Sequence, residues 1–264
     1  MYFIGSSIIK DSEIAPLSSQ RLTGEDGEVY ELLRIEKGKP IFLADHLARF
    51  GSSIEKTSLQ RPEVFEKLPQ LIDWLTLCNG MMDNDLRLCL SRDGLFQAGF
   101  VKSSYPTAAQ YSEGVACELM EAQRIEPTAK IYHAEMRKKA MQLQTKNNIF
   151  ETLLVDTQGL ITEGSRSNVF FVSGDTLYDV PQDRILHGII RDKVLEICMR
   201  HNIKVVNQEV QSTHIADYDA CFITSTPVRI LPVAAIGNCH FDIKNPILTT
   251  LMAELNREIA KQTK

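Results

Sequence analysis

"ITEGSRSNVFFV", residues 161–172, sets a carboxylate, two serines and an asparagine directly ahead of four apolar residues. Val169, Phe170, Phe171 and Val172 form the short continuous apolar run of a strand buried on both faces. Glu163 therefore stands at the mouth of a core strand, where an ionised carboxylate is costly without a partner. In isolation Glu163 reads as a turn-capping side chain in solvent. "GSRSN" approaches the G-x-S-x-G elbow of serine hydrolases, but Asn168 occupies the second glycine position. The stretch also leads into a strand, whereas an elbow serine leads into a helix.

Outward from this strand the second half alternates elements of both kinds. "GVACELMEA" reads as a strand, residues 134–147 as a helix, and "ETLLVD" as a strand closed by the turn "TQG". After "NVFFV" come a hairpin into "TLYDV", a helix from Gly188 to about Arg200, the strands "IKVV", "ACFIT" and "VRILPVAAI", and a C-terminal helix from Pro246. In the first half, "MYFIGSSII", "EVYELLRIE" and "IFL" read as strands, with the turn "KGKP" between the last two. Asp45 is placed to cap a helix carrying Leu47, Phe50 and Ile54, and a second helix runs from Pro62 through an internal Pro69. "LRLCLSRDGLFQAGFV" reads as a strand pair around Asp93-Gly94. The polar stretch 102–114 contains Pro106 and lacks periodicity. The expected organisation is a small N-terminal α/β domain over 1–104, a linker over 105–113 and a larger mixed-sheet domain over 114–264. The class is α+β with many antiparallel neighbours, not a regular βαβ array.

Composition bounds the function. The 264 residues, 44% hydrophobic, suffice for a substantial core, and a net charge of −5 without a Lys/Arg run argues against a dedicated nucleic-acid surface. "MYFIGSSIIKDSEIAP" lacks the basic and apolar regions of a leader, and no stretch of about 18 apolar residues follows, so the expectation is a cytoplasmic protein. The six cysteines form no C-x-x-C pair and the six histidines no H-E-x-x-H spacing. Buried reduced thiols and no metal site are expected.

Phosphate recognition has one sequence signal. G-x-G-x-x-G and G-x-x-x-x-G-K-[ST] are both missing, which removes support for nucleotide cofactors. In "HGIIRDKV", however, Gly188 opens an amphipathic helix whose first turn exposes the amides of Ile189 and Ile190, a site for an anion. A plain glycine N-cap reads equally from those residues. "TSTP" at 224–227 closes the strand "ACFI" with three hydroxyls, and reads by itself as a strand-ending turn.

Taken in order, "EVYELLRIEKGKPIFLADHLARF", "EGSRSNVFFV", "ILHGIIRD" and "CFITSTPVRILPV" resemble the fold-type IV pyridoxal-phosphate enzymes. This family comprises branched-chain aminotransferases, D-amino-acid aminotransferases and aminodeoxychorismate lyases. The resemblance covers most of the chain and implies pyridoxal 5'-phosphate as cofactor. It makes Glu163 the partner of the pyridine nitrogen, and adds Asn168 to the cofactor cradle. It makes Lys130 of "PTAKIYHAEM" the Schiff-base lysine and proton carrier, its pKa expected to fall from about 10.4 towards neutrality through partial burial and a neighbouring cation. His133 stands where relatives commonly have asparagine. Arg49 in the H-x-x-R element, the amides of Ile189 and Ile190, and Ser225 with Thr226 are the implied phosphate ligands. Tyr30 corresponds to an active-site aromatic, and Arg87 or Arg92 is the implied holder of a substrate carboxylate. Asp85-Leu86-Arg87 keeps only the arginine of the branched-chain Y-x-R element, and Gln97 and Gly99 replace the D-amino-acid R-x-H pair. Transamination between an amino acid and a 2-oxo acid, elimination of pyruvate from aminodeoxychorismate, and cofactor binding without turnover all stay open. The family also implies a homodimer.

Overall fold

The computed structural model describes residues 2–4, 7–9, 22 and 24–264. The chain packs as two compact units, one of Met1–Ser104, Ala129–Ala134 and Ile259–Lys264, the other of Tyr105–Thr128 and Glu135–Glu258.

The first unit is built on an antiparallel sheet in the order β2-β1-β6-β5-β3-β4. Its strands are β1 (Tyr2–Ile4), β2 (Ser7–Ile9), β3 (Val29–Glu36), β4 (Lys39–Pro40), β5 (Asn84–Leu90) and β6 (Phe96–Val101). Side chains alternate across it. Val29, Leu33, Ile35, Leu86, Leu88, Leu90, Phe96 and Ala98 form one apolar face. They pack against Phe50 and Ile54 of α1 (Leu43–Lys56) and Leu68, Ile72 and Leu75 of α2 (Leu68–Asn79). The other face carries Tyr30, Arg87, Cys89 and Gln97, with Tyr30 opposite Cys89 and Cys89 opposite Gln97. Residues 130–132 extend this sheet beside β3. Tyr30 N donates to Lys130 O at 3.1 Å, Tyr132 N to Glu28 O at 2.9 Å and Gly27 N to Tyr132 O at 2.8 Å.

Glu31 shares the apolar face of β3 and is fully buried. Its charge is met by α1: Arg49 Nε donates to Oε2 at 2.9 Å and Arg49 Nη2 to Oε1 at 2.7 Å, with His46 Nδ1 3.0 Å from Oε1. Burial by itself would raise the Glu31 pKa, but Arg49, then His46 and Lys130, hold it well below the ordinary carboxylate range. The H-x-x-R spacing puts His46 and Arg49 on one helix face, so this ion cluster fixes α1 against β3.

The second unit contains β7 (Val115–Glu121), β8 (Glu151–Val155), β9 (Leu160–Gly164), β10 (Asn168–Ser173), β11 (Thr176–Asp179), β12 (Lys204–Asn207), β13 (Val210–Gln211), β14 (Ala220–Ser225), β15 (Arg229–Ile236) and β16 (Cys239–His240). The sheet order is β12-β11-β10-β14-β15-β7-β8-β9-β13, with β16 on β15. Parallel pairs (β11 with β12, β15 with β7, β7 with β8) sit among antiparallel ones. The helices are α3 (Ala108–Glu113), α4 (Ala134–Asn147), α5 (Ile189–Arg200) and α6 (Pro246–Gln262). β10 is buried on both faces as its apolar run predicts. Val169 and Phe171 enter the main core, while Phe170 stacks on Phe222 of β14 at 5.1 Å.

Local readings of the sequence need correction at four places. The expected linker 105–113 holds α3, whose Thr107 and Gln110 form a reciprocal capping box and whose Tyr111 donates to Val228 O at 3.0 Å. Residues 129–134 belong to the first unit although they follow β7, and residues 259–264 return to it as well. Pro69 is not internal to a helix, because α2 begins at Leu68 and leaves the proline where its missing N–H costs nothing. Leu43 opens α1 instead of ending a strand, so Asp45 lies in the first helical turn rather than at the cap.

Removing Glu31's charge leaves the Arg49 guanidinium without its buried counter-ion, so Glu31→Gln is expected to destabilise the protein by about 3–5 kcal/mol in urea unfolding. Because the folded-state pKa of Glu31 lies below its ordinary value of 4.5, its stabilisation is present above pH 4.5 and is lost as pH falls further. The wild-type urea midpoint should therefore drop more steeply below that pH than the variant's. Parallel profiles would contradict the role given to this charge.

Candidate active site

In the second unit, Glu163 is the penultimate residue of β9 and is 2% exposed. Its Oε1 lies 2.7 Å from Arg124 Nε, and its Oε2 accepts from Leu186 N at 3.3 Å. Arg124 is anchored in turn by donation from Nη2 to Ser165 O at 2.9 Å. The two serines of the quoted stretch both donate to one carboxylate, Glu151 on β8: Ser165 Oγ at 2.6 Å and Ser167 Oγ at 3.0 Å. Arg166 N at 3.2 Å and Gln144 Nε2 at 3.1 Å add to the same group. Gly164 is required here, since a Cβ would stand 2.0 Å from Ser167 Oγ. The tight turn between β9 and β10 thus wraps around Glu151 and aims Glu163.

Asn168, at the start of β10, donates from Nδ2 to Leu186 O at 2.8 Å. Leu186 is therefore clamped at its amide by Glu163 and at its carbonyl by Asn168. Two residues on, Gly188 is the extended N-cap of α5, and it has no side-chain cap hydrogen bond. A Cβ at Gly188 would meet Asn168 Oδ1 at 2.0 Å, so glycine is dictated by close approach. Ile189 and Ile190 bury their side chains at 5% and 2% exposure and contribute only first-turn amides, which have no intrahelical acceptor. Across the register from Asn168 lies Thr224 on β14, Ser225 ends that strand and Thr226 opens the turn before β15, both as half-buried hydroxyls.

The first unit gathers a second group. Lys130 lies with its Nζ 4.9 Å from the centroid of the Tyr30 ring, and its backbone N donates to Ser53 Oγ at 3.0 Å. Lys130 and Arg49 both act on the Glu31 carboxylate, which brings the expected lysine and the expected guanidinium to one cluster. The Arg87 guanidinium sits 4.5 Å from the Tyr30 centroid and 5.4 Å from that of Tyr132, and is paired with the buried carboxylate of Glu28. Arg92 lies apart: its side chain is 72% exposed on the rim beyond β5, 3.8 Å from Asp26.

Of the residues singled out in the sequence, Lys130, Tyr30, Arg87 and Arg49 fall together in the first unit. Glu163, Asn168, Ile189 and Ile190 fall together in the second, joined through Leu186. Ser225 and Thr226 follow the β14 residue paired with Asn168. Asn168 spends its amide on positioning the α5 entry. Arg124, Glu151, Glu28 and Tyr132 were not anticipated. Glu151 carried the clearest signal, since an ionisable residue opening the apolar strand "ETLLVD" requires buried donors.

The donor set suits pyridoxal 5'-phosphate. A buried carboxylate can face a ring nitrogen, uncapped helix amides beside hydroxyls can take a phosphate, and a lysine can react with an aldehyde. Among the described residues no cluster of His, Cys, Asp and Glu fits a metal ion, and no helix is long and apolar enough to cross a membrane.

Known proteins resemble this chain along most of its length. The amino-transferase class IV family matches residues 28–236. A D-alanine aminotransferase from Bacillus licheniformis is 28% identical over 259 residues, covering 89% of this chain and 88% of its own. Among solved structures, the branched-chain amino acid aminotransferase of Escherichia coli has a TM-score of 0.84 at 16% identity, covering 100% of this chain and 95% of its own. A putative 4-amino-4-deoxychorismate lyase from Legionella pneumophila has a TM-score of 0.79 at 19% identity, covering 91% of this chain and 97% of its own. The mixed two-unit architecture is thus that of the fold-type IV enzymes. With four-fifths of its length matched and the fold in agreement, the chain belongs to the class IV aminotransferase family.

Proposed function

We propose that the chain is a pyridoxal-phosphate aminotransferase that moves an amino group between an amino acid and a 2-oxo acid. The observation that carries this reading is the buried Glu163, fixed by Arg124 and clamped through Leu186 to the N-terminus of α5. A carboxylate held this way beside an anion-binding helix end matches a ligand that is cationic at one end and phosphorylated at the other.

In this reading Glu163 keeps a proton on the pyridine nitrogen. The amides of Ile189 and Ile190 and the hydroxyls of Ser225 and Thr226 would hold the phosphate, and the resemblance assigns Arg49 to it as well. Asn168 positions the helix entry rather than touching the cofactor. Lys130 Nζ would bind the cofactor through its aldehyde group and, once the substrate amine displaces it, would be free to take the proton from the substrate α-carbon and hold it for return. Bound pyridoxal phosphate supplies the sink for the electron pair released at the α-carbon. Tyr30 lies against Lys130 and restricts its approach. Six unbridged cysteines suit a reducing compartment, in keeping with a cytoplasmic enzyme. The resemblance to the family supports a homodimer.

Pyruvate elimination from aminodeoxychorismate is the second reading, supported by the likeness to the putative 4-amino-4-deoxychorismate lyase of Legionella pneumophila. A panel of L- and D-amino acids offered with pyruvate or 2-oxoglutarate separates the two. Formation of a new amino acid is the expected result. Pyruvate released from aminodeoxychorismate, with no transfer from any amino acid, would overturn transamination.

Two variants test the assignments. Lys130→Ala should lower turnover by at least about 100-fold, the range of a removed general base. Glu163→Gln should lower it by about 100-fold while the protein still binds cofactor, measured as phosphate per chain after gel filtration. Full activity in either variant contradicts the role given to that residue.

A further inference from the structure

The polar face of the first sheet holds an ion pair that neither the cofactor nor proton transfer requires. Arg87 of β5 is 7% exposed and Glu28, just before β3, is 2% exposed. Their side chains are in direct contact. The guanidinium also lies over Tyr30 and Tyr132, and the same Tyr30 ring bears Lys130 Nζ at 4.9 Å. Glu28 is held at its backbone as well, its carbonyl accepting from Tyr132 N at 2.9 Å. A substrate reacting at Lys130 Nζ therefore brings its substituents close to this pair.

An arginine in such a place would attract a carboxylate, but this one already has an anion as its partner. The pair is neutral as a whole. A second carboxylate approaching Arg87 would meet Glu28 as a like charge in a buried setting, where such repulsion is poorly screened. Uncharged substituents meet no such repulsion, and the two tyrosine rings give them apolar surface to contact. We propose that Glu28 is a specificity-determining residue: by neutralising Arg87 it excludes substrates that carry a second carboxylate and selects those with uncharged side chains. This rests on Lys130 being the reacting lysine, as read above.

The test uses the full chain saturated with pyridoxal phosphate and two inert probes, glutarate and butyrate, whose binding is measured by calorimetry. Glu28→Gln keeps the shape and removes the charge. The ratio of glutarate to butyrate affinity should rise at least tenfold over wild type, equivalent to about 1.4 kcal/mol. The double variant Glu28→Gln/Arg87→Gln should lose that gain, which separates a freed cation from a general loosening of the site. Should Glu28→Gln fail to fold, Arg87→Gln alone gives the opposite sign: a net negative pocket that binds 5-aminopentanoate at least tenfold better relative to butyrate. Affinity ratios within twofold of wild type in the folded variants overturn the proposal. Amino transfer by the wild type is measured alongside, so that failure of the aminotransferase reading is seen separately from failure of the charge gate.

Discussion

A buried carboxylate near the end of β9 is the constraint from which the second unit's arrangement follows. Glu163 is removed from water, and it is matched by Arg124 on one oxygen and by the Leu186 amide on the other. Each partner is itself held. Arg124 is tied to Ser165 O, and the Leu186 carbonyl is tied to Asn168. The charge therefore does more than occupy a turn, because satisfying it fixes where α5 begins. The serines beside it belong to a separate economy: they satisfy Glu151, so that two carboxylates lie in one small turn with separate donor sets. Buried charge is tolerated where it meets an opposite charge or hydrogen-bond donors, as both carboxylates do here.

The first unit handles charge by dividing its sheet. On one face Leu and Val side chains meet two helices, and the sole anion of β3 on that face, Glu31, is answered by the H-x-x-R pair of α1. On the other, Arg87 and Glu28 neutralise each other under two tyrosine rings. Lys130 is linked to both arrangements. It contributes to the field at Glu31, and its ammonium lies over Tyr30. The backbone bonds of 130–132 along β3 set that position, so the lysine's location depends on main-chain pairing rather than on a flexible loop.

Much of this was legible because periodicity and spacing are local. The run "NVFFV" predicts a doubly buried strand, Asp93-Gly94 marks a hairpin, and Gly188 marks the start of α5; the structure has all three. The T-x-x-Q capping box at Thr107 was equally local, yet Pro106 and the polar composition around it concealed a helix of only six residues. What spacing could not supply were partners distant in sequence. Glu151 with Ser165 and Ser167, Glu163 with Arg124, and Glu28 with Arg87 are paired by strand register and turn geometry. The sequence shows only that a buried ionisable residue needs some partner, not which one. The return of 129–134 to the first unit is illegible for the same reason, since it depends on a free edge of β3.

The central claim is that Lys130 is the lysine that reacts with pyridoxal phosphate. Incubating the chain with pyridoxal phosphate, reducing with borohydride and mapping the peptides by mass spectrometry tests it most directly. The account predicts one pyridoxyl label, on Lys130. A label on Lys138, Lys139 or Lys146 of α4 in its place would contradict it.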